Sequence, residues 1–350
     1  MTTSTATTTA TAPAARTAAD DYATLRTAVG AYRVTAPLVR LTGDDRLTFL
    51  DGFLAKSADY VEPDTVREAL ALNADGSPFA ILLHFELGDE SWLLPRTTVT
   101  DTELDAYLGQ FETPGVTVEI RPEGWGATAF EGPLAWSVAA GFIDFDISGL
   151  TLHALTESAG VPGATAHLAR VGTTGEYGYL LLSDAPGAAH EAVLAAVAGR
   201  GGAEVGAEGL ARVQAEAGMG LYAAGFGALT AGAADVAWMI DWSRTGEFHG
   251  SDGLTPPTAA DPRLTALAAP AGSRFAPGTP VTAGGRPVGT VLYQAPAANP
   301  DEELVLAVLD APFWAPGLDL AADGEPDGPH PLRTATLPRV VARSLTSKIA

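Results

Sequence analysis

A glycine-rich turn that carries one acidic residue is the feature that most constrains the fold of this chain. The turn consists of Gly172, Thr173, Thr174, Gly175, Glu176, Tyr177 and Gly178. It leads into an apolar run from Tyr179 to Leu182, which predicts a buried strand. Glycines let the backbone of such a turn approach a flat ligand closely, and Glu176 would offer that ligand a carboxylate. On its own, the pattern favours a surface turn with a solvated Glu176.

The rest of the sequence predicts strands and helices in an order typical of α+β layers. Helices are predicted over residues 20–29, 45–55, 102–111 and 188–198, and a hairpin over residues 81–87 and 92–94. A segment rich in proline, threonine and alanine, from Thr255 to Arg263, predicts a linker. Short strands follow at residues 288–293, 303–309 and 332–337. Because glycine and proline separate these strands, they indicate a small β-barrel or sandwich.

Composition excludes several classes of function. The formal charge of −22 repels phosphate backbones and anionic lipid, so we expect no nucleic-acid or membrane partner. The chain has no cysteine, which excludes a thiolate nucleophile or a cysteine-ligated metal, and its histidines show no metal-site spacing. Residues 1–18 have no apolar signal-peptide core and are predicted to form a disordered tail. We therefore expect a cytoplasmic protein without a metal site.

Five segments in sequence order resemble the glycine cleavage system T-protein family, which consists of folate-dependent aminomethyltransferases. The segments are residues 39–50, 71–76, the glycine-rich turn at 172–178, 215–222 and 238–254. The resemblance spans approximately residues 20–345. Each piece alone is weak, and their order and spacing carry the resemblance.

The resemblance implies a three-domain cloverleaf of α+β class, in which two interleaved α+β domains and a small C-terminal β-barrel surround a folate pocket. The first α+β domain would comprise residues 19–52 and 121–205, and the second would comprise residues 53–120 and 206–256. Residues 264–350 would form the barrel. The short strands predicted beyond the linker agree with this implied barrel.

The resemblance also implies a cofactor, tetrahydrofolate or a derivative, and assigns residues to it. Glu176 occupies the position of the family glutamate that binds the pterin ring, where its two oxygens would accept from two N–H donors. Thr173 stands where the family has a tyrosine, and Pro95 stands where it has an asparagine. An arginine of the family aligns with Gln214, and Arg212 lies two residues earlier.

The catalytic aspartate of the family falls at Ala80 or Ile81, and neither side chain can carry charge or a proton. His84 is the nearest candidate for acid–base chemistry, because Ala80 and His84 share one face of a regular strand. His84 would lie roughly 13 Å from the aspartate position, too far to replace it directly, although a different substrate could reach it. The competing interpretation is a structural histidine within the sheet.

The resemblance and these departures together predict a folate-dependent transferase that moves a methyl, methylene or aminomethyl group to or from a small molecule. The standard glycine cleavage reaction is disfavoured, since its lipoyl carrier protein is acidic and a chain of charge −22 would repel it. Two alternatives stay open. The fold could serve a folate-independent enzyme acting on an apolar small molecule, or a non-catalytic folate-binding protein.

Overall fold

The computed structural model describes residues 16–59, 61–326, 328–346 and 349. Its helices are α1 (Ala18–Thr27), α2 (Arg46–Asp51), α3 (Asp101–Leu108), α4 (Ala135–Ala139), α5 (Pro186–Ala198), α6 (Ala207–Ala217) and α7 (Leu221–Ala224). Its strands are β1 (Gly30–Val34), β2 (Val39–Thr42), β3 (Thr65–Leu72), β4 (Pro78–Glu86), β5 (Glu90–Pro95), β6 (Thr117–Ile120), β7 (Gly126–Glu131), β8 (Leu155–Glu157), β9 (Ala166–Ala169), β10 (Gly178–Ser183), β11 (Ala203–Glu204), β12 (Arg263–Pro270), β13 (Pro280–Ala283), β14 (Arg286–Gln294), β15 (Glu302–Leu309), β16 (Asp319–Gly324) and β17 (Gly328–Ala335).

The first sheet has the strand order β11-β1-β7-β10-β9-β8. Strand β10 contains the apolar run after the glycine-rich turn, and both of its faces are buried. Tyr179 and Leu181 pack beneath α4 and α5, whereas Leu180 and Leu182 face the other sheet. Burial on both faces explains why this strand reads as a continuous apolar run instead of an alternating one.

The second sheet has the order β3-β4-β5-β2-β6, and all of its pairs are antiparallel. Ala80 and Leu82 of β4 pack against α2 and α3 on the outer face. Leu83 and Phe85 point the opposite way, into a core shared with Leu180 and Leu182 of the first sheet. The two sheets therefore pack face to face, and a site between them draws on both.

The C-terminal strands close into a six-stranded barrel in the order β12-β15-β14-β13-β16-β17, with β12 also pairing with β17. Leu267, Val281 and Val305 are fully buried inside it. The predicted α+β class with a C-terminal β-barrel is confirmed.

Some predicted boundaries differ from the structure. Strand β2 belongs to the second sheet and helix α2 packs against it, whereas the resemblance assigns residues 19–52 to the first domain. Residues 1–15 of the predicted tail lie outside the described residues. Thr17 caps α1, which begins at Ala18 within that predicted tail. Among the described helices, none is long and apolar enough to cross a membrane.

Candidate functional site

A cavity of about 860 Å³ opens between the two sheets. Its wall is built from the end of β1 with the loop that follows, the end of β5 with the loop that follows, Thr173 of the glycine-rich turn, and the segment from the end of β11 into α6. Arg121 and Tyr222 complete it. The side chains that line the cavity include Tyr32, Pro95, Arg96, Thr173, Gln214 and Tyr222. Three of these, Pro95, Thr173 and Gln214, are positions that the T-protein resemblance assigns to the folate pocket. Pro95 and Gln214 are 119 positions apart in the sequence, and the fold brings both to one cavity.

A buried carboxylate holds the glycine-rich turn in place. Glu131, at the end of β7, accepts hydrogen bonds from the backbone N–H groups of Thr173 and Thr174 at 2.6 and 2.9 Å, and from both hydroxyls at 2.8 Å. Two glycines allow the turn to close, because a Cβ on Gly178 would lie 2.3 Å from the Cα of Gly172. The turn is therefore a rigid wall of the cavity.

The same carboxylate organises the polar side of the cavity. The hydroxyl of Tyr32 donates to Glu131 Oε1 at 2.7 Å, and Gln214 Nε2 donates to the hydroxyl of Thr173 at 3.0 Å. Burial and the neighbouring Glu131 carboxylate raise the pKa of Tyr32 well above its usual range. Tyr32 is therefore a protonated donor at neutral pH, and it cannot serve as a base.

Glu176 lies in the same turn but does not line the cavity. Its two oxygens accept the adjacent backbone N–H groups of Arg343 and Ser344 at 3.0 and 2.8 Å. Arg26 adds a longer ion-pair contact of 3.8 Å. The C-terminal segment thus occupies both oxygens of the predicted pterin anchor with a pair of donors, the arrangement that a pterin ring would offer.

A second charged group meets the cavity at the end of β5. Arg96 lines the wall, and its Nε lies 3.9 Å from Glu68 Oε1 on β3. The hydroxyl of Tyr222 donates to that same oxygen at 2.6 Å. Burial and the Glu68 carboxylate raise the pKa of Tyr222. Tyr222 consequently stays a neutral donor to Glu68 throughout the physiological pH range.

Ala80 and Ile81 are the two positions at which the catalytic aspartate of the family can fall, and their side chains lie on opposite faces of β4. Ala80 is fully buried against the helices of the second sheet, on the face away from the cavity. Ile81 packs in the cluster that contains Tyr222, so it stands directly behind the cavity wall. Neither residue lines the cavity itself. An aspartate at position 81, and not at position 80, would point toward the site.

His84 lies away from the cavity in a group of charged and polar side chains at the second sheet, which we call the closed group: Arg46, Arg67, His84, Glu86 and Ser91. It is fully buried and stands opposite Arg67 in the β3–β4 pair, and its Nε2 is 3.4 Å from Glu86 Oε2. Neither ring nitrogen makes a hydrogen bond within the described residues. Burial lowers the pKa of His84 below its usual value, so the ring is neutral at pH 7.

Glu86 is the anion of this closed group. Arg46 and Ser91 both donate to its carboxylate, and Arg46 also reaches the carbonyl of Gly88. Burial alone would raise the pKa of Glu86, but polar contacts with His84, Ser91 and Arg46 outweigh it and lower that pKa to about 2. The placement gives His84 structural neighbours, and His84 does not line the cavity.

Arg212 also points away from the cavity. It is fully buried, donates to Glu216 at 2.8 Å and reaches the carbonyl of Glu302 at 3.0 Å. It therefore ties α6 to the barrel. Gln214, two residues further along the helix, is the α6 side chain that faces the cavity beside Thr173. Within the described part of the chain, no group of three histidine, aspartate or glutamate residues could hold a metal ion.

Comparison with known proteins decides the family. A family model described as the GCVT N-terminal domain matches residues 6–244, well over half of the chain. The chain belongs to the GCVT family. This GCVT family member is 26% identical over 317 residues to an aminomethyltransferase of Saccharopolyspora erythraea, covering 87% of this chain and 85% of the relative. It is 28% identical over 298 residues to an aminomethyltransferase of Frankia alni, covering 83% of this chain and 80% of the relative.

A solved structure shows the same fold. The GCVT family member superposes on the glycine cleavage system aminomethyltransferase T from Bartonella henselae with a TM-score of 0.77. The match covers 93% of this chain and 90% of that one at 17% sequence identity. The T-protein-like architecture expected from the sequence is therefore confirmed, for a divergent member.

Sequence reasoning missed three side chains of this GCVT family member's site. Glu131 gave no signal, because nothing local marks it as the acceptor for a turn more than 40 residues away. Glu68 lies within a strand and meets Tyr222 only through the fold. Arg96 was detectable, since it directly follows Pro95, an aligned position that had already been singled out.

Proposed function

We propose that this chain transfers a one-carbon group between a tetrahydrofolate and a small molecule bound in the cavity between the two sheets. The observation that carries the proposal is the convergence of Pro95, Thr173 and Gln214 on one cavity of about 860 Å³. Cavities of roughly 300–1,000 Å³ hold drug-sized ligands, so a folate and a small acceptor both fit by volume. Membership of the GCVT family supports the same class of reaction.

The residues of the wall fit the polar ring system of a folate. Glu131 fixes the glycine-rich turn, and Gln214 is oriented by its donation to Thr173, which leaves its amide oxygen as an acceptor for a ligand N–H. Tyr32 is held protonated. The tetrahydrofolate would supply the one-carbon unit. The protein would supply position, which can remove roughly 7–11 kcal/mol of barrier in the best intramolecular cases.

We infer that the reaction differs from standard glycine cleavage. Ile81 stands behind the cavity wall at a position where the family aspartate can fall, and Pro95 replaces an asparagine, so apolar side chains replace two polar groups of the family. The formal charge of −22 also opposes docking of an acidic lipoyl carrier protein. A free small molecule is the better acceptor or donor.

The test is a thermal-shift titration with tetrahydrofolate, 5-methyltetrahydrofolate and 5,10-methylenetetrahydrofolate. Ligand at 100 times its Kd stabilises the native state by roughly 2.7 kcal/mol, a shift that is easily measured. Ala207→Trp places a large ring on an exposed position of the cavity wall and should abolish the shift. Ala195→Trp, at an exposed position of α5 outside the cavity, should retain it. Lack of stabilisation of the wild-type chain by every folate at millimolar concentration would refute the proposal.

One observation favours a second candidate. Both oxygens of Glu176 are already taken by the backbone of Arg343 and Ser344. If that arrangement is permanent, the predicted pterin anchor is lost, and the fold serves a folate-independent enzyme acting on an apolar small molecule. Glu176 remains a predicted anchor for the pterin only where the C-terminal segment releases it. A non-catalytic folate-binding role would give ligand stabilisation without turnover.

A further inference from the structure

Arg96 is anchored at the cavity wall, and its guanidinium group is only partly hydrogen-bonded within the described residues. Its backbone N–H donates to the carbonyl of Ile81 at 2.8 Å, which anchors the residue to β4 just beyond the end of β5. Its side chain is only 8% exposed. Nε and Nη2 have no hydrogen-bond partner among the described residues. Buried N–H groups that lack a partner cost free energy, so a ligand that accepts from them gains affinity.

The neighbours of Arg96 leave its charge incompletely paired. Glu68 Oε1 is 3.9 Å from Nε, which is beyond hydrogen-bond distance, and the same oxygen accepts the hydroxyl of Tyr222 at 2.6 Å. The Tyr222 ring centroid lies 5.9 Å from the Arg96 Cζ atom. Glu68 and Tyr222 thus position the guanidinium, but neither accepts a hydrogen bond from its Nε or Nη2.

The other two arginines of the cavity wall are already satisfied or solvated. Arg121 donates to Asp101 at 2.5 Å and to the carbonyl of Thr35 at 3.0 Å. Arg33 is exposed and makes one long contact of 3.5 Å with the carbonyl of Pro186. Among the arginines of the cavity wall, Arg96 is therefore the one with buried N–H groups that have no hydrogen-bond partner within the described residues.

Nε–H and Nη2–H lie on one edge of the guanidinium plane, where an arginine can bind both oxygens of a carboxylate. We propose that Arg96 binds a carboxylate group of the molecule that occupies the cavity. The carboxylate has two sources, the glutamate tail of a folate or a separate small acid that exchanges the one-carbon group. The first source rests on the proposed function, whereas the second does not require folate.

Isothermal titration of the full chain separates these sources. The probes are tetrahydrofolate, 6-methyltetrahydropterin, which has no carboxylate, and three small acids: glycine, glycolate and benzoate. A folate tail on Arg96 predicts that tetrahydrofolate binds the wild type roughly 10- to 100-fold more tightly than the pterin, and that Arg96→Met removes this preference. A small-acid ligand predicts that one acid binds the wild type and not Arg96→Met.

Two controls keep the test specific. Arg286→Met makes the same change at an exposed arginine outside the cavity and should leave every affinity within about twofold. Arg96→Lys keeps the charge without the fork and should bind more weakly than the wild type, which also provides a second variant if Arg96→Met folds poorly. Equal binding of all probes by wild type and Arg96→Met, or no binding of any carboxylate by the wild type, would overturn the inference. Binding of both tetrahydrofolate and the pterin with no effect of Arg96 would overturn it while leaving the proposed function intact.

Discussion

Two half-buried arginines, Arg67 on β3 and Arg96 directly after β5, lie in different surroundings. Arg96 and Arg67 each have Nε and Nη2 without a hydrogen-bond partner within the described residues. Arg96 lines the cavity between the sheets, whereas Arg67 stands opposite His84 in the β3–β4 pair of the second sheet. Burial lowers the pKa of Arg67. The same two nitrogens therefore lack a partner within the described residues in both arginines, and the position of Arg96 at the cavity wall is what makes it a candidate for binding.

The largest expected effect lies in the closed group around Arg67. Glu86 is the anion that balances Arg46 there, so Glu86→Leu leaves buried positive charge uncompensated and should cost about 3–5 kcal/mol of unfolding free energy. Glu68→Gln, at the cavity, removes a partly exposed carboxylate and should cost less than about 1 kcal/mol. Urea denaturation measures both. Equal losses of unfolding free energy in the two variants would mean that Glu68 at the cavity stabilises the fold as much as Glu86 in the closed group.

Replacing each of the two arginines by methionine is the next test of the comparison. Arg96→Met should weaken a carboxylate ligand of the cavity by roughly 1.4–2.7 kcal/mol, because the charge-assisted hydrogen bonds are lost. Arg67→Met should leave that affinity unchanged, since Arg67 does not line the cavity. Calorimetric titration with the best ligand of the wild type measures both variants. Loss of affinity in Arg67→Met would mean that the closed group and the cavity are coupled.

The closed group should also show in the pH dependence of stability. Burial lowers the pKa of His84 in the native state, so between this lowered pKa and pH 6.5 the unfolded chain binds up to one more proton than the native chain. Stability contributed by this histidine is fully present above pH 6.5 and is lost as the pH falls. His84→Leu should reduce the slope of unfolding free energy against pH by up to about 1.4 kcal/mol per unit between pH 6.5 and 5. An unchanged slope in urea titrations at several pH values would place the native pKa of His84 near its ordinary value.

The smallest expected effect concerns the C-terminal segment, in which the backbone N–H groups of Arg343 and Ser344 donate to Glu176. Ser344→Pro removes the N–H that donates to Glu176 Oε2 at 2.8 Å, and should cost about 1 kcal/mol of stability. If the segment competes with a pterin for Glu176, the same variant should bind 6-methyltetrahydropterin several-fold more tightly. Val341→Pro, an exposed neighbour, is the control. Stability loss without any gain in pterin affinity would favour a permanent structural role for Glu176.

Elements with a strong local pattern could be predicted from the sequence. Strand β10 follows the glycine-rich turn as expected, and the hairpin of β4 and β5 was located within a few residues. Helix α5, predicted over residues 188–198, spans Pro186–Ala198. Each of these depends on neighbours in sequence, namely a glycine turn, alternating or continuous apolar residues, and a proline at the helix start.

The site could be predicted only in part, because its decisive contacts are long-range. Glu68 meets Tyr222 across 154 positions, and Glu176 meets Ser344 across 168. No local pattern encodes such pairs. The resemblance found Pro95, Thr173 and Gln214, which line the cavity, but it could not show that Glu176 is engaged by the chain itself. His84 was proposed from strand alternation, which placed it correctly on the face of Ala80 but could not show that this face is closed.

Hydrogen–deuterium exchange with and without saturating tetrahydrofolate tests the central claim most directly, because it reports where the ligand binds. The account predicts slower exchange in residues 32–37, 94–102 and 204–214 and at Thr173, the main parts of the chain that build the cavity wall. It predicts no change in residues 84–91, which hold the closed group. Protection confined to regions outside the cavity wall, or no protection at all, would contradict the assignment of this cavity as a folate site.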